Sequence, residues 1–508
     1  MKTASGGAFY LSEPKLRFAH DQAVEDPRDG LTLFGPLDRA GPFGIRVGVI
    51  GTNRGLELSR EWLRHVQHRL EDAGSPVARP PYLGFEAVFR VPWRPEPIVE
   101  IEVSTSELAR TVRLSDRHQR VFNTVALYSK PLARYGQIEE APVDFWFVVV
   151  PDIVRQHCRP RSVVPVTERV DVRRRLSPRT GRRYRQEPSL FPEDNLLAEA
   201  YQYDVDFRNQ LKARLLAPAV LTQVVLESTL ASVSAAHIRR FDLPDKSNFA
   251  AAIAWNLSTA AYYKAGGRPW KLDRIRDGVC YVGLVFKQDL TNPDSRMACC
   301  AAQMFLDSGD GVVFKGAVGP WYNSETKQFR LTRNAAYSLA TMVVSAYREK
   351  TGVFPKELFF HGRTFFDDEE WRGFEGAVDT SFTKVVGVRI RSEGSLRVFR
   401  SGRHPVLRGL GFVRHPKSAF VFTNGFSPRL QTYPGREVPR PLRIDILRGD
   451  ADIDVVSLDV MTLTKLNYNT CLLSDGLPVT LRFADGIGEI LTAGPVPSEK
   501  PLPFKHYI

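Results

Sequence analysis

The amino-acid sequence predicts an α/β fold arranged as two successive domains, and three observations lead there. The chain has 508 residues, 43% of them apolar and 25% charged, which is globular composition with length enough for two or three hydrophobic cores. Its first half alternates strand-like apolar runs with helical periodicity at 45–74, 143–151 and 220–264. Its second half sets three strand-like runs ahead of a helix and a fourth strand.

Behind an amino-terminal extension of residues 1–44, the first domain is expected over residues 45–270. It opens with GIRVGVIGTNRG and then LELSREWLRHVQHRLEDAG, a strand, a glycine turn and a helix with Leu58, Trp62, Val66 and Leu70 on one face. VDFWFVVVP at 143–151 is a nearly continuous apolar run, the pattern of a strand covered on both faces. Residues 159–185 carry ten arginines and little amphipathic order, so a basic loop is expected, either in contact with nucleic acid or simply solvated. A helix over 206–216, a strand over 220–226 and a helix over 247–264 complete the unit, which Gly266 and Gly267 close just before Trp270. The alternation gives a Rossmann-like domain.

The second domain is expected over residues 271–508. Strands are predicted over 279–287, 296–306 and 312–318, the last two joined by the hairpin segment DSGDG. A helix begins behind Thr332 and ends at Gly352, and a strand follows over 357–361. Three strands in a meander, a crossover helix and a strand able to lie parallel to the first open an RNase H-like fold.

Seventy Lys and Arg against fifty-seven Asp and Glu leave a net charge of +13 and a pI near 9.5, which favours a polyanionic partner over a small neutral substrate. The five cysteines show no C-x-x-C or Cys/His spacing that would suit a structural metal. No segment has the length of a membrane span or the pattern of a signal peptide, and a cytoplasmic protein is expected.

A nuclease of RNase H type needs carboxylates that hold two divalent metals. The predicted first strand, YVGLVF at 281–286, has no acid before Asp289, and the strand at 357–361 ends in His361. Asp367, Asp368, Glu369 and Glu370 precede Trp371 in the manner of a helix's first turn. Asp485 stands alone near the end of the sequence. The nuclease centre is therefore expected to be lost; an active enzyme would have to draw on Asp289, Asp367, Asp368 or Asp485, and a plain basic RNA-binding scaffold is a third reading.

TQVVLEST at 222–229, AAYYKAGGRPWKL at 260–272, YVGLVF, FFHGR at 359–363, LTKLNYNT at 463–470, LPVTLRFADGIG at 477–488 and the terminal PFKHYI together resemble the short prokaryotic Argonautes, which consist of a MID and a PIWI domain. The resemblance spans residues 45–508. It places Val285, His361 and Asp485 at three positions of the nuclease tetrad and the remaining glutamate between 316 and 325, Glu325 included. It assigns the grip on a guide strand's 5′ phosphate to Arg208, Lys212, Gln223 and Lys264. The carboxylate of Ile508 is implied to return to that pocket and to hold a magnesium ion with the phosphate. Arg208 and Lys212, spaced i and i+4, share a helix face, the pattern of a phosphate clamp or of a solvated surface. Tyr262 and Tyr263 could stack on a first base or belong to the core. The resemblance further implies an RNA guide, a single-stranded DNA target and defence against plasmids or phage. It also implies a partner carrying an APAZ region fused to a sirtuin-like or Toll/interleukin-receptor-type domain that depletes NAD.

Overall fold

The computed structural model describes residues 7–38, 44–72, 75–138, 143–184, 187–233, 249–288, 296–306, 311–433, 435, 437–495 and 502–508, the side chains of 315–317 excepted. Two sheets organise them. The smaller is wholly parallel, in the order Val99–Glu102, Val47–Gly51, Phe145–Val150, Thr222–Leu226. Its two central strands are buried at every position, as a sheet covered on both faces requires. Gly48 lies under Trp146, where a Cβ would come within 2.6 Å of the indole, so the strand needs glycine there.

The helix after the first of these strands, Asn53–His65, is capped by Thr52, whose hydroxyl accepts from the Gly55 amide at 3.1 Å. It is shorter than the sequence pattern implies. Trp62 and Val66 are buried as expected, but Leu70 lies beyond the helix and exchanges backbone bonds with Tyr82, while the Phe85 amide takes the Val66 carbonyl. Those non-local bonds replace the last two predicted turns. Residues 75–142, passed over in the sequence, supply the edge strand Val99–Glu102 and the 22-residue helix Arg117–Ile138, which carries Pro131 inside it.

The larger sheet has ten strands. Val279–Gln288, Ala298–Phe305 and Gly311–Gly319 form the antiparallel meander. The helix Arg333–Thr351 crosses over, capped by Thr332 and ended by Gly352 at φ +79°, and Glu357–Gly362 returns parallel to the first strand. Lys384–Ser392 continues the parallel set on the other side of Glu357–Gly362. This is the RNase H-like order read from the sequence. Residues 307–310 of the predicted hairpin, residues 247–248 at the predicted helix start and Asp289 lie outside the described residues.

Residues 7–38 tie the two halves together. Ala8–Tyr10 adds a strand to the far edge of the large sheet beside Leu410–His415, and Leu16–Arg17 pairs with Lys271–Leu272. Glu13 sits between Arg408 at 2.6 Å and Lys465 at 2.7 Å. Burial alone would raise its carboxyl, but the two cations outweigh it and hold Glu13 down to about 2. One apolar core runs from Val47 through Trp270 and Val285 to Ile508. Among the described residues, no helix is long and apolar enough to cross a membrane.

Candidate functional site

The helix Phe207–Leu216 starts behind Asp206, whose carboxylate accepts from the Asn209 amide at 3.0 Å. That start fixes Arg208 and Lys212 one turn apart on a single face. The following strand presents Gln223, and the helix Ala250–Lys264 delivers Lys264 in its final turn. Residues 504–508 close the fourth side. Lys212 Nζ donates to Thr222 O at 2.7 Å and to an Ile508 oxygen at 2.8 Å. Lys264 Nζ donates to the same Ile508 oxygen at 3.0 Å and to Gln223 Oε1 at 2.5 Å. Arg208 Nη2 reaches Tyr507 O at 3.4 Å. Lys212, Gln223, Lys264 and Ile508 thus form one buried hydrogen-bonded cluster, which Arg208 joins through Tyr507 O.

The electrostatics of this pocket are lopsided. Lys212 and Lys264 are 3% and 1% exposed, and among the described residues neither is ion-paired with an Asp or Glu side chain. Both donate to one oxygen, so their nitrogens lie less than about 6 Å apart, and two unit charges at that separation repel by about 3 kcal/mol at an effective dielectric of about 20. Burial, then Lys264 and Arg208, push Lys212 well below the ordinary lysine range; burial, then Arg208, bring Lys264 down to about 7. His506 is pushed down to about 4 by burial and by Lys505, Lys212 and Lys264. A multiply charged anion entering here would reverse these costs and restore the protons.

A cavity of about 560 Å³ opens beside Arg208, with Val150, Val154 and Phe207 on its apolar side and Arg155, Arg159 and Asn209 on its polar side. Tyr262 and Tyr263 do not face it. Tyr262 stacks on Phe89 at 4.8 Å and donates its hydroxyl to Asp38 O, and Tyr263 packs on Tyr468 at 4.6 Å. Both belong to the core.

At the centre of the large sheet Val285 is buried. His361 is wholly buried, its Nδ1 3.0 Å from Thr480 Oγ1, and burial lowers it to about 3, so the ring is neutral. Asp485 opens the helix Ala484–Leu491, exposed, and accepts from Arg363 Nη1 at 2.8 Å. Glu325 is exposed in the turn between Tyr322–Asn323 and Gln328–Phe329. Asp367 caps the helix Asp368–Gly376 in a capping box with Glu370, the role read from the sequence. Among the described residues, no group of three or more His, Cys, Asp or Glu side chains could hold a metal.

No protein-family model matches the chain, and no curated protein matches it. Solved structures do. Clostridium butyricum Argonaute bound to a guide DNA (5′ deoxycytidine) and a 19-mer target DNA is similar over 97% of this chain and 54% of its own, with TM-score 0.63 and 13% identity. Aa-Ago with externally bound siRNA (TM-score 0.55, 14% identity) is covered over 98% of this chain and 56% of its own. A. aeolicus Argonaute (TM-score 0.55, 14% identity) is covered over 99% and 55%. The fold is Argonaute-like. The chain spans about half the length of these structures.

Within this Argonaute-like fold, three further residues stand at these two regions, and one of them, Glu489, joins the two. His506 lies against the lysines of the pocket, Arg363 covers Asp485, and Glu489 accepts from Lys287 at 3.1 Å and from Asn209 Nδ2 at 3.4 Å. The i, i+4 spacing of Asp485 and Glu489 was the available signal for the last of these. The arginine-rich stretch is more ordered than a loop. It holds the short helix Pro178–Arg183, Gly181 packs against Tyr201, and Arg174 and Arg175 pair with Asp194 and Asp116. Arg159, Arg161, Arg173, Arg179 and Arg183 remain exposed.

Proposed function

We propose that this chain recognises nucleic acid through a guide: a 5′-phosphorylated strand is anchored by Arg208, Lys212, Gln223 and Lys264, and base pairing to it selects a target. The observation that carries this reading is the buried convergence of Lys212 and Lys264 on one terminal Ile508 oxygen beside Arg208, with no Asp or Glu side chain among the described residues paired to either lysine. Three cations around one terminal oxygen leave positive charge in excess, and such a site suits a terminal phosphate, which accepts several charge-assisted bonds. The fold supports the same reading, since the Clostridium butyricum Argonaute it resembles is described with guide and target DNA. The guide is proposed to be RNA and the target single-stranded DNA.

The proposal includes no cleavage by this chain. Val285 offers no ligand atom, and His361, neutral and bonded to Thr480, lies wholly buried. Recognition without cutting needs an effector, and the sequence resemblance points to an APAZ-bearing partner that depletes NAD on target binding. Magnesium fits the pocket only in company. The protein contribution is the Ile508 oxygen, already accepting from two ammonium groups, so the ion would take most of its oxygens from the phosphate and water.

The test is the affinity of the purified chain for a short RNA with and without a 5′ phosphate, compared with the Lys212→Ala, Lys264→Ala double variant. A phosphate preference lost in the variant supports the pocket. Equal binding by both proteins would leave a generic basic binder, and metal-dependent target cleavage abolished by Asp485→Asn would identify a nuclease instead.

A further inference from the structure

The strands Val279–Gln288, Glu357–Gly362 and Lys384–Ser392 are adjacent and parallel, so their carboxyl ends open onto a common edge of the large sheet. That edge is where open α/β sheets bind ligands. Each strand brings a cation to it: Lys287 on the first, Arg363 one residue past the second, and the exposed Arg391 on the third. The helix Ala484–Leu491 packs beside the first strand with Asp485 and Glu489 one turn apart. Glu489 pairs with Lys287 and also holds Asn209, the neighbour of Arg208, so one face of this helix runs from the cation pocket to the sheet edge.

Arg363 is the group at the end of that line. It lies past the wholly buried His361 and past Val285, which has no ligand atom, and its partner Asp485 stands on the opposite element. The side chains are 46% and 64% exposed, and an ion pair so accessible to water adds little to stability. Arg363 Nη2 also reaches Leu481 O at 3.4 Å, which holds the guanidinium in place while its bond to Asp485 exchanges. A guanidinium held as a fork at a sheet edge matches the two free oxygens of a phosphodiester. Lys287, paired with Glu489, and the exposed Arg391 add two further cations to the ends of the neighbouring strands.

We propose that Arg363 binds the backbone of the target strand at the sheet edge, its guanidinium leaving Asp485 for a phosphodiester, with Asp485 as the competing anion. A tethered cation thus stands where a two-metal centre would place its ions, and the strand is held there instead of cut. This inference rests on the guide-dependent reading above.

The test uses the full chain loaded with a 5′-phosphorylated guide RNA and measures its dissociation constant for a complementary DNA strand across a salt series. Arg363→Gln is expected to weaken target binding about tenfold, to lower the salt slope by about one, and to leave guide loading unchanged. Arg363→Lys should retain most of the affinity. Asp485→Asn should tighten target binding severalfold, an effect of opposite sign that loss of a structural ion pair would not produce. Unchanged target affinity and slope in Arg363→Gln, or weaker target binding in Asp485→Asn, would overturn the assignment. Failure of the unaltered chain to load a phosphorylated guide would overturn the functional reading and this inference with it.

Discussion

Raising the pH should weaken the grip on a 5′ phosphate, and the structure gives the size of the effect. Lys264 titrates near 7 in the ligand-free pocket because burial and Arg208 disfavour its charge, while a bound phosphate dianion would hold the proton on. Between pH 7 and 9 the protonated fraction of the free pocket falls from about one half to about 1%, so the affinity falls by about fiftyfold. The sign is fixed by the lowered pKa: binding takes up a proton wherever the free lysine has lost it. Lys212, also pushed well down, acts in the same direction. The phosphate does not mask the effect, because its own second ionisation, near pH 6, is complete in this range. Fluorescence anisotropy of matched 5′-phosphate and 5′-hydroxyl RNAs at pH 7, 8 and 9 reads the ratio of affinities directly. A ratio that stays flat from pH 7 to 9 would refute the reasoning.

Other outcomes follow from the same geometry. Replacing Lys212 by alanine removes a charge-assisted bond worth about 1.5–3 kcal/mol, so affinity for phosphorylated RNA should drop about ten- to hundredfold while 5′-hydroxyl RNA is unaffected; anisotropy checks it. His361 is neutral in the folded protein down to about pH 3, so the unfolded chain gains the proton first as pH falls below 6.5. At pH 5 this costs about 2 kcal/mol of stability, and urea midpoints should show a steeper acid loss for the native protein than for His361→Leu. Glu13→Gln leaves Arg408 and Lys465 buried without their carboxylate and should destabilise by about 3–5 kcal/mol, read as a lowered Tm, because this pair ties residues 7–38 to the second half.

What the sequence disclosed follows how local each signal is. VGVIG, FWFVVV and VCYVGLVFKQ are strands buried over most or all of their length, and unbroken apolar runs announce them. Val99–Glu102, an edge strand with alternating glutamates, and the helix interrupted by Pro131 give weak periodicity, and neither was read. Ala8–Tyr10 pairs with residues four hundred positions away, which no local pattern encodes. The pocket was legible because Arg208 and Lys212 share a helix turn and the motifs around Gln223 and Lys264 were distinctive. The Arg363–Asp485 pair was not, since Asp485 lies 122 residues further on and only folding sets them together.

The buried cations Lys212 and Lys264 are proposed as a terminal-phosphate site. It is tested most directly by binding one short RNA to the unaltered chain, with and without its 5′ phosphate, under identical salt and magnesium. The phosphorylated strand is expected to bind at least about tenfold tighter. Equal affinity for the two would contradict it.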